Sequence, residues 1–314
     1  MYHPYFRGKQ YELITIREMA SILQEADFCP IIEPVRETLN GLSRTLKAVA
    51  EVEGRAIVIV NPRHGDLSES GEPLTELLQE EFLNLPGISA GILLKPNMSV
   101  GDVLECFENH SDHSPCFIHA GFTDAKTLSG RLGQSMKDQC HIFVDRFCGK
   151  LYQKHFKQAT RILLRDGFQK KRNRDYEQLE FFSDLHATFE EEGMNGFGDF
   201  LIVGDDYSET GGPAYAVAIH LTFIDYDQDD AMQIYHFVSD RQDTPQDPAG
   251  KFAEALDKMI SILNKRNSKV EETAAVQEFR ELHHQGHFPG LGYIKKLSMN
   301  HHIETLARYF TPAT

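Results

Sequence analysis

The chain has 314 residues, 41% of them hydrophobic and 25% charged, with a formal net charge of −15. That length suits one large α/β domain or two ordinary ones, and the balance is that of a globular protein in water. The acidic excess speaks against broad electrostatic binding to nucleic acid or anionic membranes, and no apolar run approaches the length that spans a bilayer.

The opening MYHPYFRGKQYELITIREM carries Arg7 and Lys9 but no apolar core segment, so no secretory signal is expected there. Cys29, Cys106, Cys116, Cys140 and Cys148 form no CxxC pair. Such scattered cysteines predict free thiols in a cytoplasmic protein.

Residues 8–28 place Tyr11, Ile14, Ile16, Met19, Ile22 and Leu23 near helical spacing. A short strand, 29–33 (CPIIE), is closed by Pro34. Residues 36–53 return to a helical pattern with Leu39, Leu42, Leu46 and Val49 on one face. A second strand, 55–61 (RAIVIVN), is closed by Pro62. An acidic amphipathic helix over 72–85 leads to a third strand, 89–95 (SAGILLK), closed by Pro96. Proline pushes the residue before it toward extended geometry and cannot donate to a sheet ladder. Glu33, Asn61 and Lys95 therefore each read as the last extended residue of a strand.

The pattern continues without proline. Residues 115–119 (PCFIH) lead into a helix to about Lys137, and 141–145 (HIFVD) into another near 149–158. Residues 160–166 (TRILLRD) make the sixth run. Near-continuous apolar strands alternating with helices indicate a parallel sheet covered on both faces. Eight such units close into a (β/α)8 TIM-barrel-like fold. Residues 200–203 are expected as the seventh strand and 234–239 as the eighth. The alternating run 214–224 between them is an inserted antiparallel strand or a replacement for one of the two. A doubly wound open sheet fits the same alternation. The expected division is a barrel domain over 1–265 and a helical C-terminal extension over 266–314, with Asp247 capping a helix that begins at Pro248.

In such a barrel the strand C-termini open onto one face. Glu33, Lys95, His119, Asp145 and Arg165 are the candidate catalytic residues there, with Asn61, Arg63, Asp205 and Glu209 as candidate substrate contacts. Different polar types ending successive strands are hard to ascribe to core packing, because unpaired buried charges are costly. Paired with one another they would instead form a structural network. Glu33, His119, Asp145 and Asp205 supply oxygen and nitrogen ligands suited to Mg²⁺, Mn²⁺ or Zn²⁺, although no metal motif ties them together. Lys95 and Arg165 suit a phosphate or carboxylate, and Lys95 could serve as a Schiff-base amine. His119 suits general acid–base work or a place in the core. His283, His284, His287, His301 and His302 read as solvated histidines on surface helices. The patch 170–174 (KKRNR) reads as a solvated loop or a phosphate contact.

Asp205 and Glu209 lie in the most distinctive stretch, 199–223 (DFLIVGDDYSETGGPAYAVAIHLTF). Gly204, Gly211 and Gly212 frame its acidic loop, permitting left-handed turns at either end. The loop is expected to fold over the strand-end mouth, or else to be a solvated hairpin tip.

The segments PYFRGKQYELITIRE, CPIIEPV, FIHAGFTDAK, HIFVDRF, GFGDFLIVGDDYSETGGPAYAVAIHLTFID and TPQDPAGKF together resemble the bacterial and phage beta-protein family. The resemblance runs from about residue 2 to 265 and is most specific over 196–225. It implies a TIM-barrel-like fold and genes near mobile elements or phage-defence loci, often beside a second small protein. It supplies no catalytic residues.

Three classes of function stay open. One is a hydrolase or lyase acting on a phosphorylated or nucleotide-like small molecule at the strand-end mouth. Another is a non-catalytic barrel that binds a neighbouring-gene protein as an immunity or sensor component, marked by an exposed apolar patch. The third, nucleic-acid processing through 165–174, is disfavoured by the net charge. Oligomeric state is not legible.

Overall fold

Strands that are apolar on both faces must be covered on both, and this requirement organises the first part of the chain. The computed structural model describes residues 1–83, 85–209 and 212–311. In chain order the strands are β1 (Tyr5–Phe6), β2 (Ile31–Ile32), β3 (Ala56–Ile59), β4 (Ile88–Leu94), β5 (Cys116–His119) and β6 (Cys140–Val144). They continue with β7 (Thr160–Leu164), β8 (Leu179–Ser183), β9 (Gly196–Gly198), β10 (Ala218–Asp225) and β11 (Ala231–Val238). Two units divide the chain: Met1–Asp166 with Thr188–Phe200, and Gly167–Ala187 with Leu201–Thr314.

In the first unit β1 to β7 pair in sequence order and all in parallel, and β7 pairs with β9. The sheet then turns back on itself. The His3 amide donates to the Phe197 carbonyl at 2.8 Å, the Tyr5 amide to the Asp199 carbonyl at 2.9 Å, and the Phe197 amide to the Met1 carbonyl at 3.0 Å. The eight strands thus form a nearly closed barrel, as the alternation predicts. Its interior is one apolar cluster that includes Ile31, Ile57, Ile59, Leu93, Ile118, Ile142, Ile162 and Leu164. The alternate residues face outward to the helices: Phe117, for instance, stacks on Phe107 of the helix Val100–Asn109 with ring centroids 5.3 Å apart. That helix starts in a reciprocal cap between Ser99 and Asp102.

Six of the barrel strands coincide with the six apolar runs read from the sequence. The other two do not. Residues 200–203 form a turn, with Leu201 at φ +49°, a left-handed conformation that ends any extended run. Residues 234–239 fall mostly in β11, outside the barrel sheet. The places are taken by β1 and β9. At two and three residues, these strands are too short for a periodic signal, and β9 is Gly-Phe-Gly. Its glycines are required by the closure: a Cβ on Gly196 would lie 2.5 Å from the Met1 carbonyl oxygen, and one on Gly198 2.2 Å from that of His3.

The second unit is an antiparallel sheet in the order β10-β11-β8, with Ala218 opposite Val238 and Asp225 opposite Ala231. The run 214–224 is therefore an antiparallel insertion rather than a barrel strand. One face of the sheet, with Ile219, Leu221 and Phe237, packs on the helices Pro248–Leu263, Ala274–Gln285 and Leu291–Phe310 through Phe252, Met259, Phe279 and Leu297. Asp247 caps the first of these helices, accepting from the Gly250 amide at 2.9 Å. His301 and His302, expected on a surface, are fully buried. His301 Nδ1 lies 2.8 Å from the Thr273 hydroxyl, its Nε2 lies 2.7 Å from the Thr222 carbonyl oxygen, and His302 Nδ1 lies 2.9 Å from the Thr222 hydroxyl. They join helix to sheet and are not solvated. All five cysteines are free. Among the described residues no helix is long and apolar enough to cross a membrane.

The seam makes a two-sided stability test. Gly198→Ala should lower unfolding free energy by at least about 2 kcal/mol, since backbone cannot yield as a flexible side chain can. Gly130→Ala, in the helix Ala125–Leu132 where an added Cβ meets nothing within 4 Å, should instead stabilise. The expected gain is about 0.5–1 kcal/mol. Urea denaturation of the two variants beside wild type measures both.

Candidate functional site

Strand alternation decides which strand-end residues share the barrel interior. Tyr5, Ile31, Ile59 and Leu93 point inward, so Arg7, Glu33, Asn61 and Lys95, two residues beyond each, have the same parity at the C-terminal mouth.

Glu33 is fully buried, and both its oxygens are engaged. Oε2 accepts from the Tyr5 hydroxyl at 2.9 Å and from the Arg7 guanidinium. Oε1 accepts from the backbone amides of Arg63 at 2.8 Å and His64 at 3.2 Å. A buried carboxylate is tolerated only when paired and hydrogen-bonded in this way. Glu33 thereby fastens the loop after β3 to the ends of β1 and β2. The Arg7 guanidinium also lies over the rings of Tyr5, at 4.8 Å, and Phe200, at 5.4 Å.

Asn61 acts as a backbone surrogate. Its Nδ2 donates to the Leu93 carbonyl at 2.9 Å and its Oδ1 accepts from the Leu93 amide at 2.7 Å, continuing the β3–β4 ladder up to Pro62. The Arg63 guanidinium donates to the Ala120 carbonyl and stacks 5.3 Å from the Phe147 ring.

Lys95 differs from these. Its Nζ, half-buried, donates only to the Pro62 carbonyl at 3.4 Å, and no carboxylate among the described residues lies within ion-pair distance. Desolvation, and next the positive charge of Arg63, lower its pKa from the ordinary lysine value. The mouth therefore gathers Arg7, Arg63 and Lys95 around the buried Glu33, and a second buried carboxylate, Glu12, accepts from the Arg7 amide.

The other three strand ends do not join this cluster. His119 follows the inward-facing Ile118 and so faces out of the barrel. Its ring is fully buried against Phe143 and Phe156, each at 4.7 Å, with Nδ1 2.6 Å from the Tyr152 hydroxyl and Nε2 2.9 Å from His141 Nδ1. Burial holds it neutral, well below the ordinary histidine range, and the neighbouring His141 adds to the effect. It is a core histidine. Asp145 and Arg165 follow the inward-facing Val144 and Leu164, and form a part-exposed ion-pair chain. Arg165 Nε donates to Asp145 at 2.6 Å and its Nη2 to Glu192 at 3.4 Å, while Glu192 pairs with Lys150 at 3.0 Å. Asp205 and Glu209 belong to the second unit, where Asp205 is buried and Glu209 exposed. Gly204 has φ +76° as its turn requires, Gly212 does not, and Gly211 lies outside the described residues.

Neither His119 nor Asp145 is a partner of Glu33. Among the described residues no three His, Cys, Asp or Glu side chains are placed to hold a metal ion. The reading from sequence also missed Arg7. The only signal for it was its spacing of two from Tyr5, in a strand too short to recognise.

Compared with known proteins, the chain matches no family model and no curated relative.

Two outcomes follow from these networks. Glu33→Gln removes the buried carboxylate that pairs with Arg7 and should cost about 3–5 kcal/mol, whereas Asp145→Asn in the part-exposed chain should cost under about 1 kcal/mol. Denaturant unfolding of both variants separates them. The second concerns pH. Burial pushes His3 and His141 down to about 3, whereas unfolded histidine titrates near 6.5. Between those values the unfolded chain binds more protons, so stability should be level above about pH 6.5 and fall as pH drops toward 3. Urea midpoints measured across that range check the sign, and His141→Phe should flatten the slope.

Proposed function

We propose that the protein is an enzyme, a hydrolase or lyase, that takes a phosphorylated or carboxylated small molecule at the C-terminal mouth of the barrel. The observation that carries this reading is Lys95: a half-buried amine at the end of β4 without a carboxylate partner, its pKa lowered by burial and by the charge of Arg63. Each unit by which a lysine pKa falls raises its free-amine fraction at neutral pH about tenfold. A free amine can attack a substrate carbonyl carbon to form an imine, releasing water, or take a proton as general base. The charge of Arg63 would attract the anionic end of the substrate, and its guanidinium geometry suits phosphate or carboxylate. Glu33 and Asn61 are positioning residues in this reading: they hold the loop and the strand from which Arg63 and Lys95 project. The resemblance to the beta-protein family supplies the setting we propose, among mobile-element or phage-defence genes.

A second reading, a barrel that binds a partner protein, is favoured by one observation. The edge strand β8 exposes Leu179 at 48% and Phe181 at 53% on one face, a surface suited to pairing with another chain.

Pyridoxal 5′-phosphate, a phosphorylated aldehyde, followed by borohydride reduction and peptide mapping tests the first reading. Label should concentrate on Lys95, be suppressed by excess inorganic phosphate, and disappear from that peptide in Lys95→Met without loss of stability. Uniform labelling of surface lysines with Lys95 unmodified would remove the amine from the mechanism.

A further inference from the structure

We propose that the second unit carries a binding site of its own for a ring compound bearing a phosphate, of the nucleoside monophosphate class. This site is separate from the proposed chemistry of Lys95. The unit holds a cavity of about 790 Å³, within the range of small-molecule sites. Its walls are of two kinds. Ile202, Val217, Leu291 and Ile294 supply an apolar part, and Lys171, Arg172, Arg174 and Lys295 supply a cationic part. In a chain of net charge −15, a cavity bordered by four cations is a local reversal of sign.

A basic loop is ordinarily a solvated loop, and three contacts argue otherwise here. Asn173 Nδ2 donates to the Ala216 carbonyl at 2.8 Å, the Lys171 amide donates to the Tyr176 hydroxyl at 3.0 Å, and Lys170 Nζ donates to the Asp206 carbonyl at 3.0 Å. The loop is thereby pinned beside the lead-in to β10, with its cations at the cavity.

The loop's own acids only partly offset it. Glu180 takes Lys171 at 2.8 and 2.9 Å. Asp175 takes Arg172 Nε at 2.6 Å and lies 3.8 Å from Arg174, beyond hydrogen-bond reach. Two carboxylates thus serve three cations, and neither guanidinium has a further hydrogen-bond partner among the described residues. Paired guanidiniums with open N–H edges suit a phosphate, which accepts two parallel hydrogen bonds from each fork.

The same cavity also suits a flat ring. Tyr215 and His220 line it. The His220 ring is fixed by His236, Nδ1 to Nδ1 at 2.7 Å, and by edge contacts with Phe168 and Tyr176 at 5.1 Å each. A ring held in this way offers stacking surface at little entropic cost, and Tyr215 adds a second, exposed ring. A phosphate alone would leave the apolar wall wet, and a nucleoside alone would leave the cations unused.

Isothermal titration of the full chain with AMP, GMP, CMP and UMP, beside adenosine, inorganic phosphate and decanoate, tests the site. At least one mononucleotide should bind one per chain, at least about tenfold more tightly than adenosine or phosphate, because only it engages both the cations and the rings. Rising salt and the exposed double substitution Arg172→Glu/Arg174→Glu should each weaken it by about tenfold or more. Tyr215→Ala should weaken the nucleotide and leave phosphate unaffected, and Lys95→Met should leave the nucleotide unaffected. Thermal melts confirm folding, and if the double variant fails to fold, the Tyr215→Ala and salt results carry the test. The proposal is overturned if no mononucleotide binds, if adenosine or decanoate binds as tightly, or if charge reversal in a folded variant changes nothing.

Discussion

Backbone hydrogen bonds between the N-terminal residues and β9 decide what every other residue of the first unit can do. Once Met1, His3 and Tyr5 pair with Phe197 and Asp199, the parallel sheet has an inside and an outside, and each strand residue is assigned to one by its parity. The seam leaves no room for side chains on Gly196 and Gly198, which is why its last strand has little apolar character. The assignment then propagates through parallel register: Tyr5 level with Ile31, Ile31 with Ile57, Leu93 with Ile118, Ile118 with Ile142. Arg7, Glu33, Asn61 and Lys95 are companions at the mouth because each lies two residues past a member of that inner set.

A buried carboxylate then sets the architecture of the mouth. Desolvating Glu33 is unfavourable, and the offset comes from four donors drawn from two segments: the Tyr5 hydroxyl and the Arg7 guanidinium from one, and the amides of Arg63 and His64 from the other. Those same bonds orient the loop that carries Arg63. Asn61, by bonding both backbone groups of Leu93, fixes the end of β3 against the strand that carries Lys95. The cluster is thus structural on one side and open on the other. Glu33 is saturated, and Lys95 keeps a single bond to a carbonyl. That asymmetry is the ground on which we propose a site there, since in an inert polar network every charge would have found its partner.

The second unit solves its polar problem differently. His301, His302, Thr222 and Thr273 form a buried set joining the helix Leu291–Phe310 to the sheet, and burial lowers His301 to about 4, so that it remains neutral. Those histidines occur on a helix that is buried continuously from Met299 to Ala307, where a solvent face would otherwise be expected. The cations of this unit are treated in the opposite way. The loop 170–174 keeps them at the edge of a cavity, where their charge is not fully cancelled.

Local chemistry made six barrel strands and one alternating strand legible in the amino-acid order, and only the tertiary pairing made that strand an insertion. Apolar runs ended by proline or a charge, with helical segments between them, read as short buried strands. The same order placed Glu33, Asn61 and Lys95 at strand ends, and marked 170–174 as the basic cluster. It could not say that His119, Asp145 and Arg165, one residue beyond inward-facing neighbours, have the outward parity, because parity depends on where a neighbouring strand's register lies. Nor could it supply β1 and β9, which are too short or too glycine-rich to carry a period. Arg7 was invisible for the same reason. Whether Lys95 would be an ion-pair partner or an uncompensated amine rested on which carboxylates came within reach. Glu33 was the nearest candidate in the chain's logic, and the closed barrel gave it to Arg7 instead.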